Sequence, residues 1–196
     1  QQLVPIVFVA ALLVALRKHF FPLALTKKDW VLIGIVLIAA AFAHAPYLTH
    51  YFFKEDIAIE IGAALDPTAG GFPVTAGRLY PLSLFSVLYW IGSGHALLFT
   101  FVGFFFHLIN AALFFILLRV VTERRAVAAG AALIWASSPA FLESFAWLGV
   151  GVGSGLAIFL ALGVLILCAA ALKHDRPDAR VPLLLSIAIL VAINAG

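Results

Sequence analysis

The side chains best suited to chemistry are two adjacent carboxylates, Glu55 and Asp56, in the run Phe52-Phe53-Lys54-Glu55-Asp56. Carboxylates at a membrane surface can act as a general base when one of them is held near an acceptor hydroxyl and its pKa is moved toward working pH. The same residues also read as a solvated loop edge or a helix cap. A third acid, Glu143, stands among apolar residues shortly after Pro139. An ionisable group in such a setting is a functional candidate; the plainer reading is a side chain reaching up to headgroup water. His107 and Asn110 are three apart and share a helical face, where such a pair bridges helices or, alternatively, His107 serves as a ligand. Bis-histidine binding of a haem or pigment would need a facing partner, and His44, His50 and His95 are all expected near the outer surface.

Two patterns are set aside. The glycine run Gly149-Val150-Gly151-Val152-Gly153-Ser154-Gly155 lacks the Lys-Ser/Thr ending of a phosphate loop and precedes an apolar stretch instead of following a strand. Small residues four apart, as at Gly151 and Gly155, suit close helix packing instead. The lone cysteine, Cys168, excludes an intrachain disulfide and a cysteine-based metal cluster.

The elements that must position these residues are membrane helices. Of 196 residues, 65% are hydrophobic and 11% charged, against roughly 45 to 50% apolar content in a soluble domain. The apolar residues come in blocks, not in the alternation of a membrane barrel. Candidate spans are 3–16, 30–46, 95–118, 126–141, 149–172 and 181 onward, each measured against the roughly 20 residues that cross a bilayer. The first has no basic region before it and is a poor secretory signal. Gln1 and Gly196 do not look like natural termini, so the whole of 1–196 is expected to be a single transmembrane domain fragment.

The charges orient it. Arg17, Lys18, Lys27 and Lys28, then Arg119, Arg124 and Arg125, then Lys173, Arg176 and Arg180 take ten of the twelve Lys and Arg. By the positive-inside rule those connections face the cytoplasm. Residues 47–94 and 139–148 then lie on the non-cytoplasmic side, with Glu55, Asp56, Glu60, Asp66 and Glu143. Within 47–94, residues 80–90 read as an interfacial amphipathic helix with Tyr and Trp at the boundary, and 57–65 as a short helix. The fold class expected is all-α, a polytopic transmembrane bundle with external juxtamembrane helices.

Taken in order, these features resemble the amino-terminal part of the polytopic glycosyltransferases of the GT-C fold, especially the protein O-mannosyltransferase-like and TPR-associated branches. Phe52-x-x-Glu55-Asp56 is similar to that family's aromatic-rich acidic motif, and Arg78-Leu79-Tyr80-Pro81 to its Arg/Lys-Pro element. His107-x-x-Asn110 matches its H-x-x-N helix, and Pro139 to Glu143 to Trp147 the external turn that follows. The resemblance covers about 30–172.

It implies sugar transfer from a polyprenyl-phosphate donor to an acceptor at the non-cytoplasmic face, usually with inversion. Glu55 or Asp56 would be the base, Arg78 and less directly Lys54 would meet charge on the departing phosphate, and Glu143 and His107 would contribute to substrate binding. The partners implied are the lipid-linked donor and membrane lipids, with no nucleic acid; the residues do not define a metal. Three departures stand out: Glu55 where Asp is usual, Arg78 separated from Pro81, and Gly149-Val150-Gly151-Val152 in place of a Gly-Arg-x-Asp. They keep a second expectation alive, a non-enzymatic accessory or scaffold subunit of a larger membrane complex. A transporter with a midplane site would need broken helices and paired charges within the spans, which the sequence lacks.

Overall fold

The computed structural model describes residues 25–48, 88, 90–93, 95–141 and 148–173, and these are helical, with no strand among them. Four helices form the packed unit: α1, Lys27–His44; α2, Ala96–Thr122; α3, Arg125–Ala136; and α4, Leu148–Lys173. Short 3-10 turns, Ala45–Tyr47 and Pro139–Phe141, follow α1 and α3. The expected spans at 3–16 and from 181 onward, and the helix at 57–65, lie outside the described residues.

Helix α2 is central, packing on α1, α3 and α4, with its broadest contact against α4; α1 also packs on α3. α2 and the Gly153–Ala170 part of α4 are each long and apolar enough to cross a membrane. α2, with 27 residues, is about 40 Å long at about 1.5 Å per residue. α3 differs from expectation: the apolar run at 126–141 suggested a full span, but the helix has 12 residues, about 18 Å. Ser137 ends it, the Ser137 and Ser138 amides bonding back to Leu133 and Trp135 before Pro139.

The start of α1 and the turn between α2 and α3 have local causes. Thr26 and Asp29 form a capping box: the Asp29 amide reaches the Thr26 hydroxyl at 3.4 Å, and the Thr26 amide reaches Asp29 Oδ2 at 2.8 Å. Between α2 and α3, Glu123 takes the left-handed conformation at φ 59°, and its amide donates to Arg119 O. That conformation turns the chain back tightly enough for α2 and α3 to pack side by side.

Packing is decided by size more than polarity. α1 buries Asp29, Ile33, Val36, Ala40 and His44, one stripe at helical spacing. α3 answers with Ala128, Ala129, Ala132 and Ala136, small residues that let backbones approach. Against α4, a Cβ on Gly155 would meet Phe106 Cβ at 2.8 Å. Since that atom is fixed to the α2 backbone, the helices themselves must part to admit it. Gly155→Ala should therefore destabilise the α2–α4 pair by about 1 to 3 kcal/mol, measured by unfolding in detergent, whereas Gly34→Ala, with open space at its Cβ, should not.

Candidate functional site

Two polar clusters sit at opposite ends of the buried face of α1. At its carboxyl end, His44 meets α2 and α3. The Nε2 atoms of His44 and His107 both lie on the Ala136 carbonyl oxygen, at 2.8 and 2.9 Å. A carbonyl only accepts, so both imidazoles donate from Nε2. Ala136 is the last residue of α3, where carbonyls have no intrahelical donor, and the next candidate, the Ala140 amide, is turned to Ser138 Oγ instead. The two histidines thus complete the helix end.

Aromatic contacts fix the rings. His44 and His107 stand edge to face with centroids 4.8 Å apart, and Trp135 stacks on His107 at 5.6 Å with 16° between planes. Phe114 also meets Trp135, tilted, at 5.3 Å. One turn further along α2, Asn110 Nδ2 donates to Gly155 O at 2.8 Å. Asn110 Oδ1 is buried without a hydrogen-bond partner among the described residues.

The shared face of His107 and Asn110 therefore bridges to two different helices, α3 and α4, one polar side chain to each. His44 supplies the facing partner for His107 that the sequence reading did not find: the two rings meet inside the bundle. The sequence signal of His44 was faint, a lone histidine ending an apolar block. Because both Nε2 atoms are engaged by one carbonyl, the pair acts as a structural clasp in this arrangement. The other expected site residues, Lys54, Glu55, Asp56, Arg78 and Glu143, lie outside the described residues.

At the opposite end, Asp29 is the node. Its side chain is 1% exposed, and Oδ1 accepts from Arg119 Nε at 3.2 Å and Arg125 Nε at 2.9 Å. Oδ2 accepts from the Thr26 amide and hydroxyl. Burial alone would push the carboxyl up; the Thr26 hydrogen bonds and the Arg125 and Arg119 guanidinia outweigh it and lower the pKa from 3.8 to about 2. Nearby, Lys173 at the end of α4 pairs with Glu123 in the α2–α3 turn at 2.5 Å, which holds that exposed carboxyl below its usual value. Sequence reasoning counted these charges without pairing them. The available signal was Thr26-x-x-Asp29 before an apolar run, a capping-box pattern that placed the carboxylate at a helix start.

The described part is thus a four-helix unit, with two helices able by length and composition to cross a membrane and with polar clasps at both ends of α1. Compared with known proteins, the chain matches no family model, no curated protein and no solved structure.

Proposed function

We propose that the chain belongs to a polytopic membrane glycosyltransferase of the GT-C type, transferring a sugar from a polyprenyl-phosphate donor to an acceptor at the non-cytoplasmic face. The observation that carries this reading is the clasp of His44 and His107 on Ala136 O, which joins the end of α1 to the end of α3. Glu55 and Asp56 follow His44 in the chain, and Glu143 follows Ala136. At no more than about 3.5 Å per residue, Glu55 is tethered within about 40 Å of that point and Glu143 within about 25 Å. The chain segments that lead to both acidic motifs therefore start from one end of the bundle, as a shared site requires.

In this mechanism Glu55 or Asp56 removes the proton of the acceptor hydroxyl as its oxygen attacks the anomeric carbon. The bond to the polyprenyl phosphate breaks, and Arg78, assisted by Lys54, offsets the charge arriving on the phosphate oxygens. Glu143 orients hydroxyls of donor or acceptor. His107, occupied by Ala136 and Trp135, acts as a positioning residue. The carboxylates supply the base directly, so Glu55→Ala combined with Asp56→Ala should lower turnover by about 10² to 10⁴-fold. Sugar release from a polyprenyl-phosphate donor by the full-length protein is the measurement; equal turnover in wild type and double variant would end the enzyme reading.

The second reading is an accessory or scaffold subunit of a membrane complex, and the residues that favour it are specific. Glu55 replaces the usual Asp, Arg78 stands apart from Pro81, and Val150 and Val152 occupy positions where the family pattern carries charge. Co-purification with stoichiometric partners and no sugar release by wild type would select it.

A further inference from the structure

The charged end of α1 holds a feature that neither the ion pairs nor the transferase reading uses. The apolar stems of Lys27, Lys28 and Arg125 wall an open hollow of about 370 Å³ together with Val31 and Leu32. The nearby carboxylate of Asp29 is turned inward, its oxygens occupied by Thr26, Arg119 and Arg125. Two arginines against one aspartate leave a positive balance, and Lys27 and Lys28 add to it. The helix start is not itself the attraction, since the capping box already occupies it.

From the hollow an apolar stripe runs down the exposed side of α1. Val31, Ile35, Ile38 and Phe42 are spaced four, three and four residues apart, and Phe42 is 79% exposed. Their separation corresponds to about 16 Å along the axis, close to the depth of one leaflet in a hydrocarbon core of about 30 Å. Trp30, also exposed, precedes Val31 in the helix, and tryptophan favours the headgroup boundary. Cations, a boundary tryptophan and a leaflet-deep apolar track therefore follow one another along a single helix.

We propose that the hollow and the stripe together seat one anionic phospholipid. The ammonium ends of Lys27 and Lys28, with Arg125, meet the phosphate-bearing headgroup at the mouth of the hollow, and an acyl chain lies against its apolar wall and along Val31, Ile35, Ile38 and Phe42. Charge complementarity selects the lipid: a zwitterionic headgroup brings its own cation against three others, whereas an anionic one does not. The headgroup end of the site lies at the opposite end of α1 from His44, and none of its residues belongs to the proposed catalytic set, so it stands or falls independently of the transferase.

The test is native mass spectrometry of the full chain in detergent with phosphatidylglycerol, phosphatidylcholine or soluble glycerol 3-phosphate. Wild type should retain phosphatidylglycerol over phosphatidylcholine. Lys27→Gln with Lys28→Gln should weaken phosphatidylglycerol retention about 30-fold, which at about 1.4 kcal/mol per tenfold is about 1 kcal/mol for each lysine removed. Lys27→Arg with Lys28→Arg should restore it. Both lysines are exposed, so the variants should keep the wild-type unfolding midpoint. Equal retention of phosphatidylglycerol by the glutamine variant, or of the two lipids by wild type, would overturn the proposal. Glycerol 3-phosphate binding as tightly as the lipid would replace it with a tail-independent anion site. Retention of neither lipid, with Lys27 cross-linking to the chain's own first residues, would mean that the protein fills its own hollow.

Discussion

Replacing Asp29 by asparagine is expected to lower the unfolding free energy by about 3 kcal/mol, the low end of the cost of breaking a buried ion pair. The low end applies because Arg119 and Arg125 are 23% and 41% exposed, so solvent takes up part of the charge they regain. Asp29→Ala should cost about 1 kcal/mol more by removing the cap to Thr26 as well. Comparing the two variants by reversible unfolding in detergent separates charge from cap; a loss below about 0.5 kcal/mol in both would show that the ion cluster contributes little.

The same carboxylate predicts a pH dependence. Its folded-state pKa of about 2 lies below the ordinary 3.8, so its contribution is fully present above about pH 4 and disappears as pH falls through about 2. The amount is on the order of 2 kcal/mol, and Asp29→Asn should flatten that part of the profile.

The second large effect concerns the shared carbonyl. His107→Ala should cost about 2 to 3 kcal/mol, combining a lost hydrogen bond with the lost Trp135 stack. His44→Ala should cost about 1 kcal/mol, because His107 still serves Ala136 O. Removing both rings leaves that helix-end carbonyl without either donor, so the double variant should lose about 1 kcal/mol more than the sum of the singles. Strict additivity in that cycle would mean that the two imidazoles do not share one acceptor in function. Glutamine at position 107, which can still donate, should recover part of the loss.

The helices were legible wherever length and composition decide. The expected spans at 95–118 and 149–172 became Ala96–Thr122 and Leu148–Lys173, because uninterrupted apolar runs leave the backbone little alternative in lipid. The pairing of His107 with Asn110 was visible as an i, i+3 spacing, though not the helices that each would reach. The early end of α3 was concealed, since Ile134, Trp135 and Phe141 continue the apolar composition on both sides of Ser137 and Ser138. The meeting of His44 with His107 was not legible, because chain position says nothing about which α2 residue comes level with His44. Asp29 was hidden by its neighbours: beside Lys27 and Lys28 it reads as part of a solvated charge run, and only the α2–α3 turn brings Arg119 and Arg125 to it. Lys54, Glu55, Asp56, Arg78 and Glu143 were chosen on spacing and resemblance, and tertiary contact is a different kind of information.

The short third helix has a consequence for how deep irregular backbone can sit. If α2 enters a hydrocarbon core of about 30 Å at Arg119, His107 is about 18 Å further along it, slightly beyond the midplane. The carbonyl that His107 serves comes level with it, so on that placement the peptide units after Ala136 would begin away from bulk water. Those units are self-sufficient in donors: the Ser137 amide returns to Leu133 O, Ser138 to Trp135 O and Ala140 to Ser138 Oγ, while Pro139 has no N–H to satisfy. The Ser-Ser-Pro-Ala sequence thus leaves no amide from 137 to 140 in need of solvent as the chain passes from α3 into the 3-10 turn Pro139–Phe141.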